Sequence, residues 1–287
     1  KDGQLVGEAK IGEVDMNKLI SLMVGREIDS NLYDSSRKIG SEIFRCEEIK
    51  NMKVKNISFS VHAGEIVGMY GLVGSGRTEV ARAIFGADKI FSGRIFIKGK
   101  QVKIKSPVFA KKSLLSYLPD DRRNLGLALQ LSVMNNINLA SYENISRFGF
   151  VDLKKERFVV GNLIKALSIK TPSMSQIVSK LSGGNQQKVV IARWLAARSD
   201  IFLMDEPTIG IDVGAKNEMY KLINNLARQG KGIIFISSHM PELMAICDRI
   251  IVMKEGQIAG EIKRQNFYEE KILKMAIENR KVEDINV

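Results

Sequence analysis

The sequence predicts an α/β fold, and three observations carry that prediction. The short apolar run Ile66-Val67-Gly68-Met69-Tyr70 leads directly into a glycine-rich segment, Gly71-Leu72-Val73-Gly74-Ser75-Gly76-Arg77-Thr78, and then into a helix-patterned stretch over 79–85. A second apolar run, Ile201-Phe202-Leu203-Met204, ends in Asp205-Glu206. A third, Gly232-Ile233-Ile234-Phe235-Ile236, ends in Ser237-Ser238-His239. Short unbroken apolar runs closed by turn-forming or acidic residues read as buried strands. With 287 residues the chain is long enough to bury a large α/β core.

Composition narrows the function classes. An apolar fraction of 45% and a charged fraction of 26% are ordinary for a folded chain. No apolar run approaches the roughly 18–20 residues that span a bilayer, so a role at a membrane is expected to be peripheral. The net charge of +12 permits binding to nucleic acid or to an anionic surface. The basic residues are scattered, however, with only short runs such as Lys111-Lys112 and Lys154-Lys155. No basic stripe with interleaved aromatics occurs, and no nucleic-acid partner is expected. Cys46 and Cys247 lack metal spacing and read as reduced, partly buried thiols.

Along the chain, Lys1-Asp2-Gly3-Gln4-Leu5-Val6-Gly7-Glu8 nearly repeats as Lys254-Glu255-Gly256-Gln257-Ile258-Ala259-Gly260-Glu261. Each copy is followed by a polar stretch and then an amphipathic one, so residues 1–28 are expected to be the end of a preceding homologous domain. Residues 29–39 are polar and turn-rich and read as a linker. The principal domain is expected over 40–265, with a helical insertion at about 115–185, and a terminal helix and charged tail over 266–287. Ser182 is expected to cap a helix running from 186 to 197, with Trp194 as core packing.

The chemistry follows from the motif types. The glycine-rich loop has P-loop spacing and the strand–loop–helix setting that a P-loop needs. Gly71, Leu72, Val73, Gly74, Ser75 and Gly76 turn successive N–H groups toward phosphates, and the helix N-terminus adds positive potential. Thr78 is placed to bind magnesium through its hydroxyl. Arg77 stands where the lysine belongs, and a wide planar fork is not equivalent to a compact ammonium. Nucleotide binding is therefore expected, and vigorous hydrolysis is not. Asp205 suits a magnesium site, and Glu206 suits a base for the attacking water. Asp212, in Gly210-Ile211-Asp212, lies in a loop placed for a contact to a partner. A histidine at a strand end, His239, is suited to hydrogen-bond a γ-phosphate.

Taken together, Gly71 to Thr78, Leu181-Ser182-Gly183-Gly184-Asn185-Gln186-Gln187-Lys188 and Asp205-Glu206-Pro207-Thr208-Ile209-Gly210-Ile211-Asp212 closely resemble the ATP-binding cassettes of ABC transporters. Over essentially the whole chain the resemblance is to the second cassette of tandem-cassette ATPases serving bacterial ribose and galactose importers, where arginine at the Arg77 position is usual. It implies a RecA-like core with an antiparallel β subdomain and a helical subdomain, ATP and Mg2+ as ligands, and head-to-tail pairing with a first cassette or a second copy. Ser182, Gly183 and Gly184 would then contact nucleotide bound in trans, Asp120 would fill the magnesium-sensing and permease-facing position, and Asp212 would lie at the cassette–cassette nucleotide site. A gap-free match puts Ser238 at the switch position, and a single deletion restores His239 there.

The function implied is ATP-driven monosaccharide import through a membrane permease fed by a binding protein, at the cytoplasmic face of the bacterial plasma membrane. The two composite sites would be unequal, the one using Arg77 being weak. A different class, a soluble cassette ATPase acting on nucleic acid or ribosomes, is favoured only by the net charge. A purely regulatory nucleotide-binding half is a third reading.

Overall fold

The computed structural model describes residues 32–278. The expected remnant at 1–28, the first residues of the 29–39 linker and the tail beyond 278 lie outside the described residues. The chain proceeds through β1 (Glu42–Lys50), β2 (Ile57–His62), β3 (Ile66–Gly71), α1 (Arg77–Ile84), β4 (Ser92–Ile97), β5 (Lys100–Val102) and α2 (Pro107–Lys112). It continues with β6 (Leu115–Leu118), a π-helical turn (Arg122–Gly126), α3 (Val133–Asn138), α4 (Tyr142–Ile145), β7 (Ser146–Arg147), β8 (Phe150–Val151) and α5 (Leu153–Ala166). The last part comprises α6 (Gly183–Ala196), β9 (Ile201–Asp205), α7 (Val213–Arg228), β10 (Gly232–Ile236), α8 (Met240–Ile246), β11 (Arg249–Lys254), β12 (Gln257–Lys263) and α9 (Glu269–Ile277).

A six-stranded sheet in the order β12-β11-β3-β10-β9-β6 forms the centre, parallel except for β12. A four-stranded antiparallel sheet, β2-β1-β4-β5, lies beside it. The three strands read from the sequence are central and buried along their whole length, which is why they appear as unbroken apolar runs rather than alternating ones.

Period-2 alternation then divides their side chains between two cores. Ile201, Leu203, Ile234 and Ile236 pack with Phe44, Ile49 and Val61 of the antiparallel sheet and with Val80 and Ile84 of α1. Phe202, Met204, Ile233 and Phe235 pack with Val189 and Ile191 of α6, Ile223 of α7 and Leu243 of α8. Trp194 touches both cores, stacks edge-on against Phe85 at 5.6 Å and donates from Nε1 to the Tyr117 carbonyl at 3.0 Å. Both cysteines are buried free thiols.

The stretch expected to be a helical insertion from about 115 opens differently. Leu115–Leu118 is a strand of the central sheet, paired in parallel with β9. Its four buried residues are too few to show a period, and only the pairing with β9 makes them a strand. Beyond it the helices are interrupted by the β7–β8 hairpin, and α5 begins at Leu153, capped by Asp152, which accepts from Lys154 N and Lys155 N.

The described part of the 29–39 segment is pinned to the core. Arg37 makes a two-pronged ion pair with Asp248, with both bonds at 3.0 Å, and Tyr33 donates to the same carboxylate at 3.1 Å. Asp34 pairs with Arg228 at 2.5 Å, and Asn224 donates to the Leu32 carbonyl at 2.8 Å. Asp248 also accepts from Ile66 N at 2.8 Å, which ties the segment to the first residue of β3.

Candidate nucleotide site

The glycine-rich loop joins the carboxyl end of β3 to the N-terminus of α1. Gly74 and Gly76 have φ of 81° and 99°, a conformation that favours residues without a Cβ. Gly76 is the N-cap of α1 and offers no side-chain cap, so the first N–H groups of the helix stay available to an anion. The loop is held from below, where Gly256 N donates to the Ser75 carbonyl at 2.9 Å and Lys55 N to the Gly256 carbonyl at 2.7 Å. Its outer side is open, with Val73 95% exposed.

The carboxyl end of β9 supplies the acidic pair. Asp205 is 1% exposed. Its Oδ2 accepts from the Tyr117 hydroxyl at 3.2 Å, while Oδ1 is buried without a hydrogen-bond partner. Burial above all, then the charges of Asp120 and Glu206, push its carboxyl up to about 6, against the pull of the Thr78 and Tyr117 hydroxyls. An exposed Asp120 thus lies close enough to Asp205 to act on it electrostatically.

Glu206 takes a left-handed backbone conformation with φ 45°, and its N donates to the Ile236 carbonyl at 3.0 Å. Its Oε1 accepts from Ser238 N at 2.6 Å and lies 3.5 Å from Arg77 Nη1. The Arg77 side chain is only 11% exposed, and Nη1 has no hydrogen-bond partner. The structure therefore brings Arg77, Thr78, Asp120, Asp205, Glu206 and Ser238 together around one end of the sheet.

Of the two candidates for the switch position, Ser238 is the one whose backbone meets Glu206. His239 is turned away. Its N donates to Ser237 Oγ at 3.0 Å, and its exposed ring leans toward Glu242 with Nδ1 3.8 Å from Oε1. His239 is the N-cap residue of α8, and the backbone there points its side chain toward the first turn of that helix rather than toward Glu206.

Ser182, Gly183 and Gly184 belong to a second group. Ser182 is the N-cap residue of α6, yet its hydroxyl makes no capping bond to the backbone. Instead it accepts from Asn185 Nδ2 at 2.9 Å, and Asn185 Oδ1 accepts from Lys170 N at 2.8 Å. The helix begins at Gly183, earlier than the apolar pattern suggested. Asp212 caps α7 by accepting from Ala215 N at 2.9 Å. Within this chain its carboxylate is therefore engaged by the helix.

Sequence reasoning missed Glu242, Tyr117 and Arg122. Glu242 is 4% exposed and accepts from Thr208 Oγ1 at 2.7 Å, Lys216 Nζ at 2.7 Å and Ser237 Oγ at 3.2 Å. Despite burial, these donors and the Tyr220 hydroxyl hold its carboxyl below the usual range. The only signal was a carboxylate within the apolar stretch Met240-Pro241-Glu242-Leu243. Its donors come from three separate elements, which no local pattern reports.

The site fits a magnesium ion. Asp205 Oδ1 is an unpartnered buried oxygen beside the Thr78 hydroxyl. Among the described residues no three His, Cys, Asp or Glu side chains cluster as a metal site.

Comparison with known proteins agrees with this geometry. The sequence pattern described as ABC transporter matches residues 54–209, just over half of the chain. The ribose import ATP-binding protein RbsA 3 of Rubrobacter xylanophilus is 48% identical over 278 residues, which span 96% of this chain and 56% of that protein. RbsA of Clostridium tetani is 47% identical over 282 residues, spanning 96% and 55%. This chain thus spans about half the length of these curated relatives.

Among solved structures, a nucleotide-free ATP-binding cassette from an ABC transporter superposes with a TM-score of 0.68 at 20% identity, covering 83% of this chain and all of that one. The cbiO1 protein of Clostridium perfringens gives 0.68 at 24% identity, covering 81% and 93%. These likenesses establish the RecA-like α/β fold with its helical subdomain. With the family pattern resting on the glycine-rich loop and the Asp205-Glu206 strand end described above, the chain belongs to the ABC transporter family of ATP-binding cassettes.

Proposed function

We propose that this chain is the second ATP-binding cassette of a tandem-cassette ATPase that energises monosaccharide import. The observation that carries the reading is the convergence of Arg77, Thr78, Asp205, Glu206 and Ser238 at one strand-end cluster in a chain 48% identical to a ribose import ATP-binding protein. ATP is the substrate. The loop from Gly71 to Thr78 holds its phosphates through backbone N–H groups and the start of α1. Thr78 and Asp205 would hold magnesium, with Asp120 nearby, and the bound ion would supply neutralising charge at the outer phosphates.

Glu206 orients a water in line with the γ-phosphorus and receives its proton. The water oxygen bonds to phosphorus as the bond to the bridging oxygen breaks, giving ADP and phosphate. Ser238 holds Glu206 in place through its backbone N–H. Ser182, Gly183, Gly184 and Asp212 serve nucleotide bound by an opposing cassette. The output is delivered to a permease on the cytoplasmic side of the membrane. Among the described residues no helix is long and apolar enough to cross a membrane, and this agrees with a peripheral ATPase module.

Arg77 makes the site a weak hydrolase. Its fork is engaged near Glu206 and cannot sit between the outer phosphates as an ammonium does. Calorimetric titration with ATP and magnesium, paired with affinity capture from detergent-solubilised membranes, tests the reading. Nucleotide binding and recovery of a polytopic permease are expected. Salt-sensitive recovery of RNA or ribosomes in place of a permease would overturn it.

A further inference from the structure

The residue that connects the loop carrying Asp120 to the second group of site residues is Arg122. Its Nη1 donates to the Ile209 carbonyl at 2.6 Å and its Nη2 to the Gly210 carbonyl at 3.1 Å. Both carbonyls belong to the turn between Glu206 and the Asp212 cap of α7. The same guanidinium lies against the start of α6. A Cβ built on Gly183 would stand 2.6 Å from Arg122 Nη2 and 2.8 Å from the Gly210 carbonyl oxygen. Gly183 thus lacks a side chain where the fork and the Gly210 carbonyl pass. Gly184 is confined in the same way, since its Cβ would meet that of Ala215, in α7, at 2.8 Å.

The backbone that carries Arg122 is rigid. Arg122 N donates to the Asp120 carbonyl at 3.1 Å, and Asp121 accepts from Asn124 N at 3.1 Å to start the π-helical turn. At the far end of that turn, the half-buried helix residue Arg193 donates to the Gly126 carbonyl at 2.7 Å. The loop is therefore bonded to the body of α6 at one end and to the Ile209–Gly210 turn at the other, where it packs against Gly183. Arg122 Nε is buried without a partner, so the fork is held for the two carbonyl bonds despite an unsatisfied donor.

We infer that Arg122 is a positioning residue that sets the spacing between the Ser182-Gly183-Gly184 turn and the Ile209–Asp212 turn, so that both are presented together to nucleotide on an opposing cassette. The inference rests on the functional reading above, which assigns those two turns to the trans face. Its geometric content is independent of that reading. Displacement of the 120–126 loop is transmitted to both turns at once, because one planar group bonds the Ile209–Gly210 carbonyls and packs against Gly183.

The test compares the native chain with Arg122→Lys and Arg122→Ala. Amide hydrogen exchange is followed in peptides covering 181–186 and 207–213, together with ATP–magnesium affinity and phosphate release. In both variants exchange is expected to rise by about tenfold or more in both peptides, because an ammonium cannot span two carbonyls in fixed geometry. Affinity at the chain's own loop stays within about twofold, while phosphate release at saturating ATP falls about tenfold. Native protection in the lysine variant would overturn the inference, as would loosening of only one peptide or a parallel loss of affinity. If the native chain fails to bind ATP, the functional reading falls, and the exchange comparison still decides whether Arg122 holds the two turns.

Discussion

Arg77 Nη1 stands 3.5 Å from Glu206 Oε1, so the cation of the glycine-rich loop faces the proposed base of the same site. At this distance the two are an ion pair without a hydrogen bond, and both side chains are largely buried. On the proposed reading, nucleotide would compete with Glu206 for the guanidinium, and Glu206 would meet the water while neutralised by Arg77.

Arg77→Lys should relieve both effects. A lysine ammonium is compact enough to sit between the outer phosphates. Tighter ATP–magnesium binding by about 1 kcal/mol and faster phosphate release are expected, on the scale of one charge-assisted hydrogen bond. Calorimetry and steady-state phosphate release on the two proteins check this. An unchanged or lower turnover would mean that arginine already does the lysine's work here.

Asp205 gives a prediction of opposite sign to an ion-paired carboxylate. Its carboxyl is raised from 3.8 to about 6, chiefly by burial. The native state therefore binds more protons than the unfolded one between these values. Stability falls as pH rises through that window, and the cost is complete above it. Asp205→Asn should stabilise the nucleotide-free chain at neutral pH by on the order of 2–3 kcal/mol. It should also remove the effect of magnesium on ATP affinity. Thermal melts at acidic and neutral pH read the first expectation, and titrations with and without magnesium read the second.

Glu242 behaves conventionally. Its pKa is lowered, so its contribution is present above the ordinary carboxylate range and is lost as pH falls through its folded value. Glu242→Ala leaves Lys216 without its buried partner and should cost about 3–5 kcal/mol. Urea unfolding at neutral pH measures the loss, and the gap between variant and native chain should shrink on acidification.

The two thiols should be silent in the folded protein. Burial pushes Cys46 up to about 12 and Cys247 well above its ordinary value. An aromatic disulfide reagent should label neither cysteine in native buffer and both in denaturant. Labelling in native buffer would show that a core opens locally.

The local chemistry of the site was legible because it lies in contiguous residues. Strand, glycine loop and helix follow one another over 66–85, and Asp205-Glu206 ends an unbroken apolar run, so periodicity and residue type alone locate the phosphate loop and the acidic pair. The strand at Leu115–Leu118 was not legible, because four buried residues, Ser116 among them, become a strand only when β9 pairs with them. The choice between Ser238 and His239 was likewise left to alignment. It turns on which group reaches Glu206 from β10, across the neighbouring strand end.

The sequence by itself determined the order of the motifs, the apolar strands and the anomalous Arg77, since these depend on residues close in the chain. Only the tertiary structure decided that Arg77 faces Glu206, that Glu242 collects donors from three elements, and that Arg122 bonds one distant turn while packing against another. Those relationships link residues as much as 129 positions apart, and no local pattern encodes them. They arise where the packed sheet and helices bring charges and carbonyls within a few ångströms of one another.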